Sequence, residues 1–443
     1  MPAALSRFRR VAAPEFAASG ASSLPDVPFN GLTVAAEYNS DLMSTHDAGH
    51  ASAGPDARTV QPAADSELTV AELGEFGLIS RLARLASYND RDPFDSGRRD
   101  PLQPEATGNV GIGDDAALWT PRPGFREVLT TDALIENVHF RHTTTSWRDL
   151  GTKAMASNLS DIAAMGARPL YAFVTLGVRP DTRISDLEDL YGGLMSPSHF
   201  QYLMVASAPI PESLDWRVVI SGGDTVSSPV TMLSITVVGE LAGEGLRRAA
   251  GQPGDLLAVT GTLGGSAGGL ALLEQGIVPP YAADDSRLID KHVRPSACVS
   301  EGLALVQAGV RCGMDLSDGL LGDAGKLAYA SGLSVTLLPH LIPIMPELSR
   351  RFGEDTARQM ALTGGEDYQL LVAGQPETLA AAAIALQEYG LRPLAIVGRL
   401  EAGPAGQVTV EDEYGATLPH PRSSWDHFRQ QDAPQRAATD PAT

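Results

Sequence analysis

Acidic residues beside small ones recur at five places in this 443-residue chain. The five segments are GIGDDAA (111–117), TTD (130–132), NLSD (158–161), SGGD (221–224) and MDLSDG (314–319). Mg²⁺ prefers a few carboxylate oxygens together with water and substrate phosphate. Taken together, the segments predict a phosphate site with several metal ions, on turns beside apolar elements. Each segment alone is more typical of an ordinary turn or helix cap.

The stretch MDLSDGLLGDAG contains three aspartates, Asp315, Asp318 and Asp323. Asp315 and Asp318 flank Ser317 on a predicted turn, which favours them as a metal-binding pair. Asp323 follows Asp318 by about one and a half helical turns, on a helix predicted to begin near Gly319. A polar position on that helix is therefore the favoured interpretation of Asp323.

Other motifs have two readings from the sequence alone. GTLGGSAGGL could bring backbone N–H groups to phosphate, but it lacks the ending of a P-loop and the spacing of a dinucleotide fingerprint, so a tight strand-to-helix turn is favoured. His139 is more typical of a core histidine, and Trp425 of packing. Arg248 either pairs with phosphate or is simply solvated.

Composition excludes several classes of protein. The formal net charge of -21 argues against binding to nucleic acid or to an anionic membrane, because no basic field offsets the repulsion. The only two cysteines, Cys298 and Cys312, are too few for a disulfide framework and indicate a reducing compartment, so a cytoplasmic location is expected. No apolar run approaches the ~20 residues that span a bilayer.

The order of elements predicts an α/β or α+β fold. ELGEFGLISRLARLA predicts a helix over 72–86, and LGTKAMASNLSDIAAMGARP predicts another. RVVISGGD and VTMLSITVVGEL predict strands that bracket a glycine turn. The predicted divisions are a disordered extension (1–68), an N-terminal ATP-, metal-binding and dimerisation domain (69–242), a C-terminal α/β domain (243–428) and a disordered tail (429–443). Residues 196–216 read as an inserted loop without a chemical role.

Eight motifs in order carry a family resemblance: GEFGLI, GIGDDAA, TTDALIENVHF, NLSDIAAMGARP, SGGDT, GDLLAVTGTLGGSAGGL, MDLSDGL and TGGEDYQLL. Over residues ~72 to 428 the chain resembles the thiamine-monophosphate kinases, of the superfamily of aminoimidazole-ribonucleotide synthetase. The resemblance implies a two-domain fold, and a homodimer whose N-terminal sheets join into a barrel. It also implies that ATP phosphorylates thiamine monophosphate to thiamine diphosphate with several Mg²⁺ ions.

The resemblance also assigns roles to residues, motif by motif. The implied metal ligands are Asp115, Thr130, Thr131, Asp132, Asp161, Asp224, Asp315 and Asp318. The implied ATP-binding residues are Gly223, Asp224, Arg248 and Ser317. The implied substrate-binding residues are His139, Glu366 and Trp425. No catalytic side chain is expected, because the acceptor phosphate is already an ionised nucleophile, and transfer should be direct and in line.

Several rival functions fit the sequence less well. A selenophosphate synthetase would need a reactive cysteine or selenocysteine near its N-terminal glycine-rich segment, and the sequence has none there. A hydrogenase-maturation relative would need a C-terminal cysteine, but none follows Cys312. A purine-pathway synthetase shows a different signature from TTDALIENVHF. A non-catalytic binding module would not need so many acidic segments. The segment RAAGQPGD and the insertion before Trp216 depart from the family pattern on the nucleotide side.

Overall fold

Two β-sheets organise the part of the chain that the computed structural model describes, namely residues 68–88, 112, 115–196, 213–214 and 216–420. Trp425, the predicted tail and most of the predicted extension and inserted loop lie outside the described residues. The mixture of sheets and helices confirms the predicted α/β class.

The first sheet has four strands in the order β1-β4-β2-β3. Their bounds are β1 Phe125–Ile135, β2 Arg168–Val178, β3 Val219–Ser227 and β4 Met232–Ala242. Strand β4 pairs antiparallel with β1 and β2, whereas β2 and β3 run parallel. Because side chains alternate along a strand, one face carries buried residues such as Leu176 and Ile235, and the other face stays open. Within one chain the sheet does not close into a barrel.

Strand β3 corrects the predicted glycine turn. The strand runs through Gly222, Gly223 and Asp224 to Ser227, and the chain turns only after it. A Cβ on Gly223 would lie 1.9 Å from the carbonyl oxygen of Val174, so only glycine allows β2 to approach this closely. The glycines therefore serve strand pairing here rather than a reversal of the chain.

The second sheet has six strands in the order β10-β7-β9-β5-β8-β6. Their bounds are β5 Leu256–Thr260, β6 Cys312–Asp315, β7 Ser334–Leu337, β8 Leu370–Gly374, β9 Leu394–Glu401 and β10 Val408–Val410. Apolar residues of β5, β6, β7 and β9 are buried against each other and against the helices that flank the sheet.

The helices of the described residues are α1 Val70–Leu73, α2 Glu75–Tyr88, α3 Trp147–Ala164, α4 Ile184–Leu194, α5 Gly265–Glu274, α6 Ala283–Val293, α7 Val299–Gln307, α8 Leu320–Ala330, α9 Pro346–Phe352, α10 Glu354–Thr363 and α11 Pro376–Glu388. The helix predicted over 72–86 is broken at Gly74, whose φ of +77° ends α1 before α2 begins. None of the helices in the described ranges has both the length and the apolar character needed to cross a bilayer.

Helix α3 joins the two halves of the fold. Ser146 caps its start, since the Ser146 side chain accepts the N–H of Asp149 at 3.1 Å. Small residues allow close packing on α4: a Cβ on Gly151 would lie 2.0 Å from the carbonyl oxygen of Leu190. The helix contacts strands of both sheets as well as α4 and α7. Polar groups on α3 can therefore meet groups from either sheet.

Candidate functional site

Helix α3 carries a stripe of polar side chains through the middle of the fold. Most of the helix is buried, yet Lys153, Ser157, Ser160 and Asp161 are polar. Residues three or four positions apart share a helix face, so these side chains lie on one side of α3. The stripe reaches β1 and β6 near its C-terminal end, and Glu366 in the segment before β8 near its N-terminal end.

Asp132 and Asp315 each lie within electrostatic range of Asp161 at the C-terminal end of this stripe, and we call these three residues the acidic cluster. Thr130 Oγ1 donates a hydrogen bond of 2.5 Å to Asp161 Oδ2. Ser160 Oγ donates one of 2.9 Å to Asp315 Oδ2. The acids come from β1, α3 and β6, and therefore from both halves of the fold. The sequence predicted turns for such segments, but these three acids lie within strands and a helix.

The acidic cluster carries unbalanced negative charge. Burial raises the pKa of Asp132 and Asp161, and the charge of Asp161 raises the pKa of Asp132 further. Burial, followed by repulsion from Asp161, raises the pKa of Asp315 to about 7. Asp318 adds to the repulsion on Asp132, whereas Arg248 favours the ionised forms of Asp161 and Asp315. A cation placed between these carboxylates would offset their repulsion.

The donor atoms of the acidic cluster suit Mg²⁺. They are all oxygens, the ligands that this ion prefers. In the part of the chain that the structure describes, no three His, Cys, Asp or Glu side chains stand close enough to enclose a metal ion. Mg²⁺ ordinarily takes one or two protein carboxylates and completes its shell with water and substrate phosphate. The residues present therefore fit this ion, with oxygens of a bound phosphate as further ligands.

Two residues of the implied metal set, Thr131 and Asp224, lie on the opposite face of the first sheet from Asp132. Strand alternation puts the Thr131 side chain on the open face of the first sheet, where its hydroxyl accepts a hydrogen bond of 3.2 Å from Thr236. Asp224 pairs with Thr175 in the parallel register and lies on the same open face, exposed to solvent. Asp115 is exposed in the segment before β1.

The turn between β6 and α8 explains the three aspartates of MDLSDGLLGDAG. Asp315 is buried at the end of β6, and Asp318 is partly exposed and paired with Lys326. Asp323 is fully buried, and its Oδ2 accepts the N–H groups of Ser317 at 3.1 Å and Asp318 at 3.0 Å. Its other oxygen accepts from Lys326 Nζ at 2.8 Å. Asp323 therefore shapes the turn that presents Ser317 and Asp318.

A second group of charged residues surrounds Glu366, at the other end of the polar stripe, and we call Lys153, His292 and Glu366 the Glu366 cluster. Glu366 Oε2 accepts a hydrogen bond of 2.9 Å from Lys153 Nζ and lies 3.5 Å from His292 Nδ1. Partial burial alone would raise the pKa of Glu366, but the charges of Lys153 and His292 outweigh it and lower that pKa. His139 also acts on Glu366 electrostatically, and its Nδ1 accepts the N–H of Ile135 at 3.1 Å.

The glycine-rich segment GTLGGSAGGL forms the tight strand-to-helix turn that the sequence favoured. The N–H groups of Gly264 and Ser266 donate hydrogen bonds of 2.6 and 3.1 Å to the half-buried carboxylate of Asp367. A protein carboxylate therefore occupies the start of α5, where a phosphate would otherwise be expected.

Sequence reasoning missed Lys153, Ser160 and His292. A signal existed for the first two: Lys153 precedes Asp161 by eight residues in a stretch otherwise rich in small and apolar residues, which is two turns along one helix face. His292 had no such signal, because its approach to Glu366 depends on the packing of α6.

Family models match both halves of the chain. The N-terminal domain of AIR synthase related protein matches residues 113–241, and the C-terminal domain of the same family matches residues 252–411. The thiamine-monophosphate kinase of Escherichia coli strain K12 is 34% identical over 356 residues, which cover 80% of this chain and 98% of the relative.

Solved structures agree with these matches. Thiamine-monophosphate kinase from Stenotrophomonas maltophilia K279a has a TM-score of 0.62 and 32% identity, covering 78% of this chain and 98% of that one. AaThiL complexed with AMPPCP and TMP has a TM-score of 0.58 and 29% identity, covering 81% and 98%. The chain therefore belongs to the thiamine-monophosphate kinase family of AIR synthase related proteins.

Proposed function

We propose that this protein transfers a phosphoryl group from ATP to thiamine monophosphate, forming thiamine diphosphate in the last step of its biosynthesis. One observation carries the proposal: AaThiL, similar to this chain over 98% of its own length, binds AMPPCP, an ATP analogue, and TMP together. The acidic cluster and the Glu366 cluster are consistent with this pair of ligands, because the first suits metal-bound phosphates and the second offers an anion to an organic ring.

We further propose that several Mg²⁺ ions bind at the acidic cluster. Asp132, Asp161 and Asp315 form the core of this site, assisted by Thr130 and Asp318. Support for Asp115, Thr131 and Asp224 comes from their motifs alone. When bound, Mg²⁺ would supply positive charge that lets two anionic phosphates approach and that stabilises the transferring group.

For the ligands, Ser317, Gly223, Asp224 and Arg248 are the proposed ATP contacts. The exposed Arg248 side chain lies within electrostatic range of Asp161 and Asp315, which supports a contact with phosphates at the acidic cluster. His139 and Glu366 are the proposed contacts of thiamine monophosphate, and Trp425 remains a motif-based proposal.

The transfer is proposed to be direct and in line. The acceptor oxygen belongs to an ionised phosphate, so no side chain has to remove a proton from it, and no residue is needed as a covalent carrier. Transfer from ATP made chiral at its terminal phosphorus should proceed with inversion. Retention at that phosphorus would indicate a phosphoenzyme and contradict the direct mechanism.

We also propose a homodimer in which the open faces of two first sheets meet in a barrel. This face exposes Leu129, 66% accessible, and Val226, 42% accessible. Leu129→Lys should therefore convert the dimer to a monomer in light scattering coupled to size-exclusion chromatography. Ile384→Lys is the matched control, since Ile384 is 58% accessible but lies on α11. A Leu129→Lys protein that stays dimeric would exclude this face as the interface.

Two further proposals concern organisation. The domain division at residues 242 and 243, with domains over 69–242 and 243–428, follows the end of β4 at Ala242. A cytoplasmic location is proposed because the chain has two cysteines, and both are buried and free.

The function is tested by incubating the purified protein with ATP, Mg²⁺ and thiamine monophosphate. We expect thiamine diphosphate and ADP in equal amounts, separated by chromatography, and neither product when thiamine monophosphate is omitted. Nucleotide binding without product would instead favour a non-catalytic binding module.

A further inference from the structure

Lys153 is an unusual residue for the interior of a helix. Its side chain is 2% accessible, although burying an ammonium group is costly unless the group is paired. Lys153 Nζ donates a hydrogen bond of 2.9 Å to Glu366 Oε2, on a segment 213 residues away in the sequence. The pair therefore links α3 of the N-terminal half to the segment before β8 of the C-terminal half.

The backbone around Glu366 is held in an uncommon conformation. Glu366 has a φ of +63° and Tyr368 a φ of +49°, in the left-handed region that non-glycine residues rarely adopt. The Glu366 N–H donates to the carbonyl oxygen of Ser317 at 2.8 Å, and the Tyr368 N–H to that of Leu316 at 2.9 Å. These bonds attach the Glu366 segment directly to the turn that presents Ser317.

The two oxygens of Glu366 have different surroundings. Oε2 faces Lys153 and His292, whereas no group among the described residues donates a hydrogen bond to Oε1. The Glu366 side chain is 32% accessible, so Oε1 can meet a ligand while Lys153, on the other side, is closed to solvent. The titratable groups that face Glu366 are Lys153, His292, His139, Asp367 and Tyr368.

We propose that Lys153 is a positioning residue, which fixes the rotamer of Glu366 and keeps its carboxylate ionised so that Oε1 can accept hydrogen bonds from the substrate. The inference rests on the proposed function, in which Glu366 contacts thiamine monophosphate. The aminopyrimidine ring of thiamine offers an amino group as donor, and the ring gains a further N–H when it is protonated. An ionised acceptor binds such donors about twice as strongly as a neutral one.

The test compares Lys153→Met, Lys153→Arg and Glu366→Gln in the full-length protein. Lys153→Met keeps the length of the side chain but leaves the carboxylate unpaired. We expect KM for thiamine monophosphate to rise on the order of 10- to 100-fold, with a smaller change in kcat and in KM for ATP. Lys153→Arg should restore part of the loss. The double variant Lys153→Met with Glu366→Gln should be no worse than Glu366→Gln alone.

A pH profile separates positioning from a merely structural effect. In Lys153→Met the ratio of kcat/KM to the wild-type value should fall as pH decreases, because the Glu366 carboxylate loses its cation and takes up a proton at higher pH. The ionisations of the substrate and of the acidic cluster are common to both proteins and cancel in this ratio. Arg392→Met is the matched control: Arg392 and Glu301 form another buried ion pair, at 3.3 Å, and its loss should lower Tm without making the ratio depend on pH.

A measurement without turnover keeps this inference separate from the proposed function. The side-chain carboxyl of Glu366, labelled with ¹³C and assigned through Glu366→Gln, can be titrated by NMR in the wild type and in Lys153→Met. A higher pKa of Glu366 in the variant supports the proposal even if the wild type forms no thiamine diphosphate, a result that would refute only the function. An unchanged pKa of Glu366 in Lys153→Met would overturn the proposal. An equal rise in KM when Lys153→Met is introduced into the wild type and into Glu366→Gln would overturn it as well.

Discussion

The acidic cluster and the Glu366 cluster are served by the same helix but are balanced differently. In the acidic cluster, burial raises the pKa of Asp132, Asp161 and Asp315, and repulsion from Asp161 raises the pKa of the other two acids further. In the Glu366 cluster, Lys153 and His292 lower the pKa of the acid. The carboxylates at one end of α3 thus lack enough positive charge to balance them, whereas the carboxylate at the other end is paired with a cation.

This difference indicates what each end can bind. Carboxylates that repel each other gain most from a ligand that carries positive charge, such as Mg²⁺ bound to phosphate. A carboxylate already paired gains little from a metal ion, and its free oxygen suits a hydrogen-bond donor on an organic ring. We therefore propose that the phosphate chemistry takes place at one end of the polar stripe of α3 and that the organic part of the substrate is recognised at the other.

The largest expected effect is on activity, at the acidic cluster. Asp161→Asn should lower kcat/KM by at least about 100-fold, because one negative charge fewer faces the proposed Mg²⁺ ions. Its Tm should stay unchanged or rise, since the substitution relieves repulsion on Asp132 and Asp315. Steady-state kinetics at saturating Mg²⁺ and calorimetry measure the two effects. Asp181→Asn, at an exposed acid outside the site, is the control.

Asp224→Asn sharpens the same contrast. The motif implies that Asp224 is a metal ligand, whereas strand alternation puts its side chain on the open face of the first sheet. We expect this variant also to lose most activity while it stays folded. Unchanged turnover at saturating Mg²⁺ would remove Asp224 from the ligand set and leave Asp161 in it.

An acid that is paired within the protein should behave in the opposite way from Asp161. Asp323 accepts two backbone N–H groups and the Lys326 ammonium, and it is fully buried. Asp323→Ala should lower the free energy of unfolding by about 3 kcal/mol, because those donors lose their acceptor. Urea unfolding measures the change. Asp318→Ala removes a partly exposed partner of the same lysine and should lower the free energy of unfolding by less than about 1 kcal/mol.

The pH dependence of stability tests the Glu366 cluster. Burial, followed by the charge of Lys153, lowers the pKa of His292 to about 4, below its ordinary value of about 6.5. Between these two values the unfolded chain binds more protons than the folded one, so the free energy of unfolding falls as pH falls. Between pH 7 and pH 4.5 the free energy of unfolding of the wild type should therefore fall by about 2 kcal/mol more than that of His292→Asn.

Urea unfolding at the two pH values gives this difference, and contributions of Glu366 in the same direction largely cancel in the comparison. His340→Asn, at an exposed histidine, should keep the wild-type dependence. If the free energy of unfolding changed equally with pH in His292→Asn and in the wild type, His292 would not be held neutral beside Lys153.

The sequence predicted the class of the fold and most candidate residues, because short motifs preserve residue type and order. It could not predict which acids meet. Asp132 and Asp224 lie in similar segments, but only the register of β1, β4, β2 and β3 shows that their side chains point to opposite faces of the sheet. The dependence of Glu366 on Lys153 was also hidden, since that contact spans 213 residues and requires both halves to be folded.

The smallest expected effect concerns Ser160, which holds Asp315 as Lys153 holds Glu366, but without a charge. Ser160→Ala removes the hydrogen bond of 2.9 Å to Asp315 Oδ2 and should raise the Mg²⁺ concentration for half-maximal activity by roughly threefold. Ser160→Thr keeps the hydroxyl and should stay near the wild type. If Ser160→Ala leaves the Mg²⁺ dependence unchanged, Asp315 is oriented by burial alone. The Ser160 hydroxyl then has no role in metal binding, and of the two α3 side chains proposed to position a carboxylate only Lys153 would remain.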